Sequence, residues 1–305
     1  MRTRLALAGI LATGLVTAGC SNDTGGGDKG EINLSGQNFT EMQIMAEMYT
    51  LLLEDAGYSV STKLVDTRDV YLKELESGGV DIAPEYVGAL ADFLNTTQNG
   101  AEAEPVTSPD PDATLEALKP LADEANITML EPAEASDQNA FAVTQEFAEE
   151  NDLQTLSDLA ALGEPVVLAA APDCEGRTDC EAGLSDDYGI DITEVLPLGY
   201  GSPQVIDSLK SGESQLGEVA STQSNVDAEG LVILEDDKSI QPAQNLIPAV
   251  NSDFLKDNQD AADALNKLAD VLTTEDLLAL NVKVDVDRED AGDVAKTYLE
   301  DEGLL

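Results

Sequence analysis

Two periodicities alternate along this chain, and together they leave few folds open to it. Short runs with apolar residues at every second position give way to longer runs whose apolar residues recur every three or four positions. "EINLSGQNF", from Glu31, reads as a strand ending at Gly36. "TEMQIMAEMYTLLLEDAG" reads as a helix with Ile44, Met45, Met48, Leu51 and Leu52 at helical spacing and Gly57 as its stop. "YSVSTKLV" is the next strand, "DTRDVYLKELESG" a helix capped by Asp66 or Thr67, and "VDIAPEY" the strand behind it. A loop from Pro105 to Pro111 precedes another helix at 113–125. Strand and helix in alternation predict an α/β sheet with ligands at the carboxyl ends of its strands.

The same grammar restarts after residue 140. "AFAVTQEFAEE" leads to "LSDLAALG", then to the strand "PVVLAAA" and later to "PQVIDSLKSGESQLGEVASTQ". Leu75-Glu76-Ser77-Gly78 matches Leu209-Lys210-Ser211-Gly212 at an offset of 134 residues, each a helix closed by Ser-Gly ahead of an apolar strand. In this register Tyr86 falls opposite Ala220. At 305 residues the chain is about twice a typical domain, so the repeat predicts two similar α/β lobes.

Composition removes several functions. With 61 acidic residues against 15 basic ones, the net charge of −46 excludes nucleic acid as a partner, since phosphate binding needs clustered Lys and Arg. The acids read as a solvated, self-repelling surface of the kind that suits a saline habitat. There is no His, hence no Ser-His or Cys-His couple. No spacing singles out an acid/base pair among the carboxylates, and there is no Gly-rich phosphate loop. "DVDREDAGD" at 285–293 looks like a calcium loop but has Asp290 where Gly is needed and Lys296 at the twelfth position. It reads as a charged turn before the last helix. The sequence therefore predicts no enzyme, no metal and no cofactor.

Residues 1–20, "MRTRLALAGILATGLVTAGC", carry Arg2 and Arg4 ahead of an apolar run from Leu5 to Val16. That run is short for a bilayer span and reads as an export signal. "TAGC" resembles a lipoprotein lipobox with Thr17 in place of Leu, which makes Cys20 the expected acylation site and membrane anchor. Residues 21–30 then form a flexible tether. Cys174 and Cys180, in "PDCEGRTDC", form an even pair in an oxidising compartment, so a disulfide is expected. A metal site is the rival, with two thiolates and no His to complete it.

A tethered chain with two lobes describes a receptor for solutes outside the cytoplasm. "GQNFTEMQIMAEMYTLLLEDAGY", "GGVDIAPEYVGALADFLN", "DQNAFAVTQE", "LVILEDDKSIQPAQNLIPAV" and "LNVKVDVDREDAGDVAKTYLEDEGLL" resemble the glycine betaine/choline/carnitine-binding lipoproteins of osmoprotectant ABC transporters. The resemblance implies a type II periplasmic-binding-protein fold with the ligand cleft between lobes. Lobe I would comprise 31–135 plus 242–305, and lobe II 136–241. It also implies three partners: a small-molecule solute, an ABC permease and that permease's ATPase.

A receptor for quaternary ammonium solutes needs aromatic faces around the cation and polar groups for the other end. By the resemblance, Tyr86 in "P-E-Y-x-G" is one wall of the cage, with packing inside the lobe as its alternative role. Gln37 matches a polar contact of the family, with Asn38 and Phe39 beside it. Thr67 offers a hydroxyl and N–H to a carboxylate, or simply caps its helix. The relatives' other cage tyrosines fall at Asn139, Ala220 and Gln244, so Gln138, Asn139 and Gln244 imply a more polar pocket. Phe39 or Tyr200 is left to supply a further ring.

Overall fold

The computed structural model describes residues 29–101 and 103–305; the export signal, Cys20 and the tether as far as residue 28 lie outside the described residues. The chain begins with β1 (Glu31–Gln37), α1 (Thr40–Asp55), β2 (Ser59–Val65), α2 (Arg68–Ser77) and β3 (Ile82–Tyr86). It continues through α3 (Val87–Asn99), α4 (Pro111–Glu124) and β4 (Ile127–Met129). A second sheet then forms from β5 (Asn139–Thr144), β6 (Val166–Ala170), β7 (Ile192–Pro197), β8 (Leu216–Ala220) and β9 (Leu231–Leu234). Its helices are α5 (Gln145–Asn151), α6 (Leu156–Leu162), the short α7 (Glu181–Gly183) and α8 (Pro203–Ser211). Finally β10 (Leu246–Asn251) returns to the first sheet, followed by α9 (Ser252–Asp257), α10 (Gln259–Ala269), α11 (Thr274–Asp285) and α12 (Ala291–Asp301).

The two five-stranded sheets have the orders β2-β1-β3-β10-β4 and β7-β6-β8-β5-β9. In each, parallel strands are joined through helices, and one strand enters antiparallel: β10 beside β3, and β5 beside β8. Both sheets are covered on both faces. Ile32, Leu34, Met45 and Met48 share one core with Leu265, Leu277 and Leu299 from the C-terminal helices, while Leu75, Leu90, Leu118 and Ile247 form the other. In the second sheet Phe141, Leu168 and Leu216 bury against the disulfide, and Ala142 and Val219 against Val205 and Leu209 of α8. Each fully buried Leu contributes about 1.5–3 kcal/mol relative to exposure.

The 134-residue offset holds in three dimensions. The helices end at Ser77 and Ser211, and the strands run Ile82–Tyr86 and Leu216–Ala220. Between them Gly78 and Gly212 take φ of 79° and 76°, the left-handed conformation that costs a residue with a Cβ most. A short sequence match has thus marked a repeated helix–turn–strand unit.

Two segments cross between the sheets, 130–138 outward and 235–245 back. They run side by side: Ser136 bridges Asn245, Gln138 Nε2 donates to the Pro242 carbonyl at 2.8 Å, and Asn245 Nδ2 donates to the Ala133 carbonyl at 2.9 Å.

Candidate functional site

Where the crossings meet the strand ends, a cavity of about 460 Å³ opens between the sheets. Lobe I contributes Tyr86 at the carboxyl end of β3 and Ala89 in the first turn of α3. The crossings contribute Asp137, Gln241, Pro242 and Gln244, and β5 contributes Asn139. The disulfide loop after β6 adds Asp173, Arg177 and Asp179, and Tyr200 closes the far side. A second cavity of about 510 Å³ shares Arg177, Asp179 and Pro242 and extends towards Thr107 and Ser108.

Local structure explains why Tyr86 arrives here. The strand ends in the β region at Tyr86, which is also the N-cap of α3, so the backbone turns at this residue. Gly88 follows because the crossing segment passes over it: an added Cβ would sit 2.4 Å from the Ala243 carbonyl oxygen. Gln244 Oε1 accepts from Ala89 N–H at 3.0 Å and so ties that crossing to the first turn of α3. In "P-E-Y-x-G" the Gly is therefore what lets the crossing lie against the tyrosine's helix.

Tyr86 is only 7% exposed, and its hydroxyl donates to Glu41 Oε1. Glu41 is buried as well; its Oε2 accepts from Asn281 Nδ2 at 2.7 Å, and Asn281 also donates to the Thr222 carbonyl at 3.2 Å. Burial, then the charge of Asp137, pushes the Glu41 carboxyl up to about 7. Asp137 is raised too, chiefly by desolvation. Both phenols are held protonated: Tyr86 by burial and then the Glu41 and Asp137 charges, Tyr200 by desolvation and then Asp137. Asp137, Tyr86 and Tyr200 all line the cavity.

Opposite them the disulfide loop carries Arg177, which is already paired. Its Nε and Nη2 reach the two Asp179 oxygens at 2.9 and 2.6 Å, and Nη1 lies 3.4 Å from Asp173. Cys174 and Cys180 are bonded, S–S 2.04 Å, and fully buried. Both sulfurs lie near the Glu218 carboxylate, but a disulfide leaves no thiolate to bind a metal.

Comparison with known proteins decides the family. Residues 30–301 match the substrate binding domain of the ABC-type glycine betaine transport system. The chain belongs to this family. It is 26% identical over 310 residues to a glycine-betaine-binding protein of Pseudomonas aeruginosa, covering 99% of this chain and 94% of that one. It is 29% identical over 276 residues to the glycine betaine-binding protein YehZ of Escherichia coli K12, covering 87% and 88%. Among solved structures, one titled a glycine betaine/carnitine/choline ABC transporter shares the fold with a TM-score of 0.75 at 23% identity, over 90% of this chain and 99% of that one. The fold is the two-lobed type II periplasmic-binding-protein fold expected from the sequence. Members of the family are solute-binding receptors of ABC importers, not enzymes, and they work outside the cytoplasm.

The residues anticipated from sequence divide into two groups. Tyr86, Asn139 and Gln244 line the cavity together. Asn139 and Gln244 are engaged within the protein, Asn139 Nδ2 donating to Asp179 Oδ2 at 3.1 Å and Gln244 holding α3. Gln37, Asn38, Phe39, Thr67 and Gln138 are not among the lining residues. Gln37 ends β1 half-buried, Asn38 accepts from Gln43 at 2.9 Å, and Phe39 is the exposed residue ahead of α1. Thr67 stands at the N-cap of α2 without a side-chain cap bond, and Gln138 ties the two crossings. Ala220 is also absent from the lining, but it pairs with Asn139, which is present. Of the two rings considered as substitutes, Tyr200 faces the cavity.

Sequence reasoning passed over Glu41 and Asp137. Glu41 carried a usable signal, because it falls four residues before Met45 on the apolar face of α1. A carboxylate on that face must find buried partners. Asp137 carried none; it is one of 61 acids in the chain.

Proposed function

We propose that this receptor captures a quaternary ammonium osmoprotectant such as glycine betaine, choline or carnitine and delivers it to an ABC permease and its ATPase. The observation that carries this reading is the cavity bounded by Tyr86, Tyr200 and Asp137. Each ring face attracts a methylated cation by about 0.5–2 kcal/mol, and a carboxylate in the same cavity adds to the attraction. A polar amine is the second reading, favoured by the amides of Asn139 and Gln244 where the family resemblance implies rings. Lobes of 31–135 with 242–305 and of 136–241 would close on the solute, with Cys20 acylated to hold the receptor at the membrane.

The test is calorimetry and thermal shift with the three solutes, since a ligand raises stability by RT ln(1 + [L]/Kd). Tyr86→Ala should weaken binding about ten- to a hundred-fold, through lost apolar area and cation–π attraction. Tyr86→Phe should retain most of the affinity, because the ring face meets the ligand while the hydroxyl is held by Glu41. Undiminished binding by a folded Tyr86→Ala variant would make the ring a packing residue.

A further inference from the structure

We propose that the cavity selects solutes with a net positive charge over zwitterions, and that Asp179 sets this preference by occupying Arg177. The inference rests on the receptor reading above and specifies which member of its solute class fits.

The lining holds three carboxylates, Asp137, Asp173 and Asp179, and a single base, Arg177. A zwitterion such as glycine betaine must place its carboxylate somewhere, and a guanidinium is the natural seat. Here that seat is taken. Asp179 grips Arg177 through two nitrogens at 2.9 and 2.6 Å, and Asp173 lies 3.4 Å from the third. Asp179 is itself held in place, accepting from Asn139 Nδ2 at 3.1 Å, while its carbonyl accepts from Gln241 Nε2 at 2.8 Å. A solute carboxylate would have to displace one aspartate and still face the other two. A cation without a carboxylate meets none of these costs and gains Asp137 and both rings.

The experiment compares choline with glycine betaine, which share a trimethylammonium head and differ in the charge of the tail, by calorimetry on the wild-type receptor and on Asp179→Asn. The wild type should bind choline at least about tenfold more tightly, and Asp179→Asn should shift the ratio towards glycine betaine by about tenfold or more. Asp173→Asn, which touches Arg177 through one nitrogen only, should shift it the same way by less, and serves the test if Asp179→Asn does not fold. Glycine betaine binding as tightly as choline to the wild type overturns the preference but leaves the receptor reading intact. An unchanged ratio in folded variants overturns the role of Asp179. If neither solute binds, the quaternary ammonium reading falls and the preference falls with it.

Discussion

The carboxyl ends of β3 and β8 are the same piece of architecture built twice and secured by different chemistry. Each strand carries one buried glutamate, Glu85 and Glu218, but they are one position out of step in the 134-residue register. Side chains alternate across a sheet, so that single step sends them to opposite faces. Glu85 turns to its own helix, where Arg68 Nε bonds both its oxygens at 3.0 and 3.1 Å and the Tyr71 hydroxyl donates to it. Glu218 shares its face with Ala220 and turns towards the disulfide loop, accepting from Ala171 N–H at 2.7 Å. Lobe I thus fixes its strand end with buried charge and presents a ring. Lobe II ties its strand end to the loop after β6 through Glu218, and a covalent staple within that loop holds the stretch that bears the cavity's charges.

The largest effect should come from breaking the lobe I arrangement. Glu85→Ala would leave Arg68 and the Tyr71 hydroxyl facing each other without the carboxylate that satisfies both. Removing one member of a buried pair typically costs about 3–5 kcal/mol. Urea denaturation should show a loss of this size. A loss below about 1 kcal/mol would mean Arg68, whose side chain is 18% exposed, finds water at no cost, and that charge does not secure this strand end.

Behind Tyr86 the same lobe keeps a second carboxylate that sharpens the contrast. Glu41 lies near 7 in the folded protein against an ordinary value of 4.5, so between pH 4.5 and 7 the folded chain holds a proton that the unfolded chain has released. The stability this group contributes is full below pH 4.5 and is lost as pH rises through 7, in all by about 3 kcal/mol. Glu41→Gln has no such proton to lose and can still accept from Tyr86 or Asn281. The stability of the variant relative to wild type should therefore rise by about 3 kcal/mol from pH 4.5 to pH 8. A difference that stays flat over that range would show that Glu41 does not titrate there.

How much of this was legible beforehand follows from the same two strand ends. The frame was: apolar periodicity and a Ser-Gly helix stop recur locally, and both lobes obey them. Tyr86 was, because it closes a strand in a motif that resembles a known family. The partners were not. Glu85 and Glu218 look alike in the chain, and only the pleat decides which meets Arg68 and which meets the loop. Asn139 and Gln244 are legible as pocket amides, yet Asn139 is taken by Asp179, 40 residues on, and Gln244 by Ala89, 155 residues back. Phe39 is a candidate ring by sequence, but it stands ahead of α1 and is not among the cavity's lining residues. Periodicity reports what a residue's neighbours in sequence require. The charge balance of a cleft is set by residues brought together from both lobes.

The smallest effect tests the staple in lobe II. The Cys174–Cys180 bond closes a loop of only seven residues, so the chain-entropy argument allows about 2 kcal/mol of stabilisation. Both sulfurs are fully buried, and alanine fills much of their space without introducing a polar group. Cys174→Ala combined with Cys180→Ala should therefore cost about 2 kcal/mol, less than Glu85→Ala. The functional consequence should be out of proportion to that figure. Arg177 and Asp179 belong to the stapled loop and Asp173 stands immediately before it, so loosening it dissolves the arrangement that keeps Arg177 paired, while Tyr86 in the other lobe is untouched. The variant should lose discrimination between choline and glycine betaine before it loses binding of the cation. Alkylation of the wild-type protein made under oxidising conditions should modify neither cysteine until a reductant is added. Two thiols reactive from the start, or a variant with unchanged stability and unchanged solute preference, would show that the loop holds its shape through Glu218 and Ala171 alone, and both strand ends would then be secured by buried carboxylates.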